Sequence, residues 1–168
     1  MITAVITTFN DERRLGATLA TLAPAPLDAL VREVIIADAA STDDTLAVAE
    51  AVGARAIVGE GALDRACREA RQPWLLILPA GARLELGWEV AARGHIRRQP
   101  AAGGWFRLSL ADDGAAARLD EAWANFAARW LGRPRPRQGL LIAARQWGKP
   151  GTPTCGLAAR ILVGRAEA

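Results

Sequence analysis

The chain has 168 residues, 51% of them hydrophobic, and a net charge of +3, so it is long enough for one domain with one sizeable core. It has no run of about 18 or more uninterrupted apolar residues, and no basic, signal-like segment precedes the first predicted strand, so no membrane span is indicated and we expect a cytoplasmic protein. A single histidine and two distant cysteines exclude a histidine-rich or CxxC metal site, and we expect Cys67 and Cys155 to be reduced thiols.

The positive charge is concentrated near the C-terminus. Residues 133–168 carry seven basic residues against Glu167 alone, and the rest of the chain is net acidic. A basic segment of this kind can contact nucleic acid, an anionic membrane surface or a pyrophosphate group, or it can remain solvated. Its Arg-Pro run lacks interleaved aromatic or glycine residues, so nucleic acid is disfavoured, and membrane contact would be peripheral at most.

The N-terminal third predicts two strand–helix units. A β-branched strand at residues 2–7 precedes a helix that Asn10 can cap and that ends before two prolines. A second apolar strand, Val34 to Ala37, ends at Asp38, and a helix follows from Thr42 to Val52. An acid at the carboxyl end of a buried strand suits a ligand-reading position in an open α/β sheet. An ordinary loop with a capping aspartate is the alternative.

The middle of the chain continues the alternation. A strand at residues 54–58 and a short helix at 63–71 precede Trp74 to Leu78, which is apolar throughout, as a parallel strand buried on both faces should be. Alternating strands and helices predict an α/β fold with a mostly parallel sheet and helices on both faces. Such sheets bind ligands at the carboxyl ends of their strands, which places Thr8, Asp38 and the residues after Leu78 along one rim.

The C-terminal half predicts a helix at residues 88–98, a strand at 105–110 and a long helix at 115–131. Between the last two, Asp112 and Asp113 form a turn or, alternatively, supply a replacement base or metal ligand. The long helix has one broad apolar face, which we expect to close the core, with docking of a partner or contact with a membrane surface as alternatives. That face is formed by Leu119, Trp123, Phe126 and Trp130.

Two motifs, in this order and at this spacing, resemble the opening of family 2 glycosyltransferases of the inverting GT-A type. The first strand leads into Thr7-Thr8-Phe9-Asn10-Asp11-Glu12, where the family has Pro-Thr-Tyr-Asn-Glu-Glu. The second strand leads into Asp38-Ala39-Ala40-Ser41-Thr42-Asp43-Asp44-Thr45, where the family has Asp-Gly-Gly-Ser-Thr-Asp-Gly-Thr. The resemblance covers residues 1–90 well and continues patchily to residue 142. Together with the alanine- and arginine-rich composition, it favours a bacterial protein.

The resemblance implies a GT-A-like domain spanning residues 1–168. Residues 1–98 would form the nucleotide-binding half, and residues 99–168 a reduced acceptor-side half with a basic tail. It implies binding of a UDP- or GDP-type nucleotide or nucleotide sugar, and a protein partner or homodimer remains open. The implied nucleotide site comprises Thr8, Phe9, Glu12, Asp38, Ala39, Ser41 and Arg65. For Arg65, a surface role is the alternative.

The acids that carry the chemistry of the family are missing. Its members usually follow the strand at 74–78 with Asp-Ala-Asp, where a carboxylate holds Mn²⁺ or Mg²⁺ on the diphosphate. Here the two aspartate positions are Pro79 and Gly81, so we expect no metal at the usual site. Arg137 replaces the acid of a Gly-Asp-Gln-Gly-Leu segment, and the usual base segment after Ala143 has no counterpart.

Two interpretations follow, because an inverting transfer needs a general base and a cationic group for the leaving diphosphate. In the first, the chain is a degenerate pseudoenzyme, a nucleotide-binding, regulatory or scaffolding partner in glycan assembly. In the second, it is a metal-independent transferase with Asp112 or Asp113 as its base. Guanidinium groups would then replace the cation, and the candidates are Arg83, Arg135 and Arg137.

Overall fold

The computed structural model describes residues 1–23, 30–110, 115–131 and 136–163. Its first half alternates strands with helices: β1 (Ile2–Thr8), α1 (Glu12–Leu22), β2 (Val31–Asp38), α2 (Thr45–Ala51), β3 (Arg55–Val58), α3 (Ala62–Glu69) and β4 (Trp74–Pro79).

The second half contains β5 (Ala82–Leu84), α4 (Trp88–Arg98), β6 (Gly103–Leu110), α5 (Ala115–Leu131), β7 (Leu140–Ala143) and β8 (Thr154–Val163). Short 3₁₀ turns at Pro136–Gln138 and Ala144–Gln146 flank β7. None of the helices in the described ranges is long and apolar enough to cross a membrane.

The described strands form one mixed sheet in the order β3-β2-β1-β4-β7-β6-β8-β5. Strands β1 to β4 are parallel, as their apolar, β-branched runs predict. Beyond β4 the sheet changes character, because β7 runs antiparallel to both β4 and β6, and β5 runs antiparallel to β8. The parallel strands therefore direct their carboxyl ends to a common edge, where the predicted rim lies.

Helices cover both faces of the sheet, which confirms the predicted α/β architecture. Alternate residues of β1 enter different cores: Ile6 packs in one cluster with Leu15 of α1 and Trp88 of α4, whereas Val5 packs in the other with Cys67 of α3. The Trp88 indole Nε1 also donates to the carbonyl of Thr21, which joins α4 to α1. Both cysteines are free thiols, as expected.

Two predicted helix starts are wrong, for one physical reason. Helix α1 begins at Glu12 after Asp11, and helix α2 begins at Thr45 rather than at Thr42. Asn10 does not cap α1, because its backbone is left-handed, with φ +53°, and its carboxamide oxygen accepts from the Thr42 amide instead. Polar residues that suit a helix N-terminus are used here to join two loops.

The expectation that the aromatic face of α5 closes the core is also wrong. Leu119, Trp123 and Phe126 are 72%, 56% and 48% exposed, and the two aromatic rings stack with their centroids 5.7 Å apart; the side chain of Trp130 lies outside the described residues. The helix instead buries Ala124 and neighbouring alanines.

A second contact explains this orientation of α5. The Asn125 carboxamide oxygen accepts from the Leu108 amide at 2.9 Å, and its nitrogen donates to the Leu108 carbonyl at 3.0 Å. Small side chains permit the close approach to β6 that this pair of bonds requires. The polar and small face of α5 therefore packs inward, and Leu119, Trp123 and Phe126 remain exposed.

Candidate functional site

Two polar loops meet at the carboxyl ends of β1 and β2. We call residues 9–11 the first loop and residues 39–44 the second loop. The Asn10 amide donates to Ser41 Oγ at 2.8 Å, and the Thr42 amide donates to Asn10 Oδ1 at 2.9 Å. These reciprocal bonds join backbone to side chain across the two loops, so each loop supports the conformation of the other.

The starts of the two following helices extend this connection. The Asp11 amide donates to Thr45 Oγ1 at 2.9 Å, and the Glu12 amide donates to Asp43 Oδ2 at 3.1 Å. In return, the Asp44 amide donates to Glu12 Oε2 at 3.2 Å. Each helix N-terminus thus receives oxygen partners from the other unit, which satisfies amides that a helix leaves unpaired.

Asp38 is the anchor beneath both loops. Its carboxylate is fully buried; Oδ1 accepts from the hydroxyls of Thr8 and Ser41, and Oδ2 accepts from the Ser41 amide at 2.7 Å. Burial raises the pKa of Asp38, but the hydrogen bonds from Ser41 and Thr8 outweigh burial, and its pKa lies below the usual value. These bonds stabilise the ionised form, so Asp38 supports the rim from inside the chain.

Ala40 adopts a conformation that disfavours its side chain. Its φ is +64°, a left-handed value that costs a non-glycine residue roughly 1–2 kcal/mol. We expect Ala40→Gly to raise the free energy of unfolding by up to about 1 kcal/mol, because the extra freedom of glycine in the unfolded chain offsets part of the relief. Urea denaturation measures the change.

The matched control is Ala39→Gly. Ala39 is not among the residues with positive φ, so replacing it relieves no strain. The glycine adds only the conformational entropy of the unfolded chain, which should lower the free energy of unfolding by about 0.5–1 kcal/mol. A fall in stability of equal size for both variants would contradict the strain assigned to Ala40.

A cavity of 390 Å³ opens where β1 and β4 end. We call it the rim cavity. It brings together both polar loops, the segment that replaces the family's metal motif, and the 3₁₀ turn before β7. Its lining consists of Thr7, Thr8, Phe9, Asp11, Arg14, Ala39, Pro79, Ala80, Arg137 and Val163.

Arg14 contributes a guanidinium group that neither sequence motif predicted. Its Nη1 donates to Asp11 Oδ1 at 3.1 Å. A Cβ atom at Gly81 would lie 2.9 Å from Arg14 Nε and 3.1 Å from Nη2, so the guanidinium covers the face of Gly81 from which a side chain would project. An arginine in the first turn of α1, together with a glycine in place of the motif aspartate, was the available sequence signal.

Arg137 reaches the same cavity from the C-terminal part of the chain. The next residue, Gln138, is buried and its Nε2 donates to Asn125 Oδ1 at 3.3 Å. Gly139 follows with φ +62°, and a Cβ there would approach Leu78 Cδ2 to 2.9 Å. Packing therefore accounts for the glutamine and the glycine of the Gln-Gly-Leu segment at residues 138–140. These packed residues position Arg137 at the cavity.

Arg65, predicted for the nucleotide site, and Arg83, a predicted phosphate-binding residue, do not line the rim cavity. Arg65 is on α3, and its Nη2 donates to the carbonyls of Val58 and Glu60, at the carboxyl end of β3, at 2.8 and 3.3 Å. Arg83 lines a separate groove together with Arg160. Asp112, Asp113 and Arg135 lie outside the described residues.

The residues that are present do not fit the divalent metal of the family. Pro79 and Gly81 supply no side-chain oxygen, and the described residues contain no group of three or more histidine, cysteine or acidic side chains that could hold a metal ion. Among the described residues lining the rim cavity, Asp11 is the one carboxylate. Its Oδ1 accepts from Arg14 and its Oδ2 from the Phe9 amide at 3.0 Å.

A larger cavity of 750 Å³ lies at the opposite edge of the sheet. It is lined mainly by apolar residues from the end of α1 and the starts of β2 and β3. Ligands in open α/β sheets bind at the carboxyl ends of the strands, so position favours the smaller rim cavity as the functional site.

The mixed sheet, with helices on both faces and polar loops at the strand ends, defines a GT-A-type glycosyltransferase fold. S. aureus TarS 1–349 in complex with UDP-GlcNAc superposes with a TM-score of 0.74 over 99% of this chain and 59% of that chain, at 12% identity. Mannosyl-3-phosphoglycerate synthase from Rubrobacter xylanophilus gives a TM-score of 0.69 over 100% of this chain and 67% of that one, at 16% identity.

A third structure is glucosyl-3-phosphoglycerate synthase from Mycobacterium tuberculosis in complex with Mn²⁺, UDP and glucosyl-3-phosphoglycerate. It gives a TM-score of 0.64 over 100% of this chain and 73% of that chain, at 16% identity. At these identities the likeness is one of fold. The chain spans about three fifths of the TarS fragment.

Residues 3–80 match the sequence model described as glycosyl transferase family 2, which confirms the predicted resemblance to that family. The matched segment contains both polar loops, Asp38 and the strand that leads to Pro79. No curated protein sequence matches the chain.

Proposed function

We propose that the rim cavity binds the nucleotide part of a UDP- or GDP-type nucleotide sugar. The observation that carries this proposal is the position of the cavity: it opens at the carboxyl ends of β1 and β4, against both polar loops. This is where open α/β sheets bind ligands. The structures of TarS with UDP-GlcNAc and of glucosyl-3-phosphoglycerate synthase with UDP support the choice of ligand.

In this proposal Phe9 receives the base. Its side chain is 59% exposed at the edge of the cavity, and an exposed aromatic ring stacks on any nucleobase. Thr8 and Ala39 supply cavity surface, whereas Glu12, Asp38 and Ser41 position the loops through their mutual hydrogen bonds. Arg65 acts indirectly, by fixing the turn after β3.

The two proposed halves of the domain both contribute. Residues 1–98 supply the loops and the strand ends, and Arg137 from residues 99–168 supplies positive charge for the diphosphate. Arg83 has no part in this proposal because it lines another groove.

A second candidate function is that of a non-catalytic nucleotide-binding partner in glycan assembly. It is favoured by the state of Asp11, whose two carboxylate oxygens already accept hydrogen bonds from Arg14 and Phe9. A carboxylate held in this way is a poor general base, since a base needs a free oxygen within reach of the acceptor hydroxyl. The two candidates share the nucleotide site and differ in turnover.

Calorimetric titration with UDP, GDP and their sugar conjugates tests the shared site. We expect Phe9→Ala to weaken binding by about tenfold or more, the loss that removal of a stacking ring produces. Phe126→Ala is the matched control, because this phenylalanine is also exposed but lies on α5, and it should leave affinity unchanged.

Failure of every nucleotide to bind would reject the proposed function, and equal affinity of the two phenylalanine variants would reject the stacking role of Phe9. Where binding is observed, release of sugar from the bound donor, with and without saccharide acceptors, separates a transferase from a non-catalytic partner.

A further inference from the structure

We infer that Arg14 takes the place of the divalent cation in the rim cavity, so that the cavity binds a diphosphate group directly through guanidinium nitrogens. The inference rests on the proposed function for the identity of the nucleotide, but the diphosphate site can be tested with inorganic pyrophosphate alone. A structure of the same fold contains Mn²⁺ together with UDP. The side chains that line the rim cavity, in contrast, do not fit a metal ion.

The contact between Arg14 and Gly81 carries the argument. Gly81 stands at the second acid position of the metal motif, and its φ is +82°. A Cβ there would be 2.9 Å from Arg14 Nε and 3.3 Å from the central guanidinium carbon. An aspartate at this position could be accommodated only if Arg14 moved. The glycine thus removes a negative metal ligand and admits a positive group to the same space.

The orientation of Arg14 is set by residues that are themselves fixed. Nη1 donates to Asp11 Oδ1, and the Asp11 amide donates to Thr45 Oγ1 at the start of α2. Asp11 therefore holds one edge of the guanidinium, whereas Nε and Nη2 are on the side of Gly81. A guanidinium fork held in this way can donate two parallel hydrogen bonds to phosphate oxygens with little ordering cost.

The charge of the cavity agrees with an anionic ligand. Among the described lining residues, Arg14 and Arg137 are positive and Asp11 is negative, which leaves a net charge of +1. The Arg14 side chain is 33% exposed, so its field is less screened than that of a fully solvated arginine. Arg137, on the turn before β7, lines the same cavity and would contact a second phosphate or the same one.

The direct test is calorimetric titration of UDP and of inorganic pyrophosphate in EDTA, with the wild-type protein and Arg14 variants. We expect both ligands to bind without metal, Arg14→Ala to weaken each by about tenfold or more, and Arg14→Lys to weaken each less, because lysine keeps the charge but loses the fork. Arg13→Ala is the matched control. It is on the same helix, its side chain is 84% exposed, and we expect affinity to change by less than about twofold.

A second variant disturbs the site without altering Arg14. Gly81→Ala places a Cβ against the guanidinium and should also reduce pyrophosphate binding. Gly148→Ala controls for the backbone, because Gly148 has a similar φ of +74° but no atom within 4 Å of the added Cβ. Thermal denaturation of all variants establishes that they are folded.

The outcomes separate the inference from the proposed function. UDP binding in EDTA that Arg14→Ala leaves intact would overturn the inference and leave the proposed function standing, and UDP binding that requires Mn²⁺ would do the same. Arg14-dependent binding of pyrophosphate without any nucleotide binding would support the inference and reject the proposed function. Absence of binding by pyrophosphate, UDP and GDP would reject both.

Discussion

Asp38→Ala is expected to lower the free energy of unfolding by about 3–5 kcal/mol. The side chain is fully buried, and its removal leaves the hydroxyls of Thr8 and Ser41 and the Ser41 amide without their acceptor. A buried donor that loses its partner, such as the Thr8 hydroxyl, costs about 1–3 kcal/mol, and the two half-buried donors of Ser41 cost less. Because net stabilities are about 5–15 kcal/mol, the variant should be close to unfolding. Urea denaturation followed by circular dichroism measures the loss.

Asp44→Ala is the control for this effect. It removes the same charge from the second loop, but Asp44 is exposed and its side chain makes no capping hydrogen bond to α2. We expect a loss of less than about 1 kcal/mol, from the interaction of the charge with the helix N-terminus. If Asp38→Ala proves as stable as Asp44→Ala, Asp38 is not the anchor of the two loops.

The same carboxylate makes stability depend on pH in the acid range. The pKa of Asp38 in the folded protein is below its usual value of 3.8, so the unfolded chain takes up its proton first as the pH falls. The stabilisation is complete above about pH 3.8 and is lost as the pH falls further through the folded pKa. Asp38→Asn should reduce the slope of stability against pH below 3.8. It should not abolish it, because the pKa values of Asp43 and Asp64 are also lowered.

Gly139→Ala is expected to cost about 2–4 kcal/mol of stability and to weaken nucleotide binding. The left-handed backbone contributes roughly 1–2 kcal/mol. The rest comes from contact, since the added Cβ would be 2.9 Å from Leu78 Cδ2 and 3.3 Å from the Ile77 carbonyl oxygen. Relief of these contacts must shift the turn that carries Arg137. Paired denaturation and calorimetric titrations measure the two effects.

Gly148→Ala separates backbone strain from packing here as well. Its φ of +74° is similar, and the added Cβ meets no atom within 4 Å, so we expect a cost of about 1–2 kcal/mol and unchanged binding. Equal losses of stability for the two variants would show that the space around Gly139 adjusts freely, and the argument that packing retains this glycine would be wrong.

Five strands and the rim were predictable because their signals are local, whereas β5, β7 and β8 were not predicted. Residues 74–78 are apolar at every position, and such a run has few alternatives to a strand buried on both faces. Asp38 at the end of a β-branched run, followed by small and hydroxyl residues, identified the rim in the same way. In the structure both of its carboxylate oxygens accept hydrogen bonds within the chain, and its contact with a ligand stays a prediction.

The orientation of α5 was not predictable from its period. Two faces of the helix have plausible core residues, one with large apolar side chains and one with alanines and Asn125. Hydrophobicity favours the first face, but the hydrogen bonds of Asn125 to Leu108 and the close approach that alanines allow favour the second. Such a choice depends on the shape of the neighbouring strand, which no local pattern encodes.

The amino-acid sequence alone was sufficient to predict the α/β class and the strand ends that carry the two motifs. It also showed that Pro79 and Gly81 replace the two acids of the metal motif. Each of these depends on neighbours in the chain or on a period of two or 3.6 residues. Only the folded chain brought Arg14 onto Gly81 and Arg137 into the same cavity. Contacts between residues so distant in the chain arise from the packing of helices and turns against the sheet, and a sequence pattern contains no distance between them.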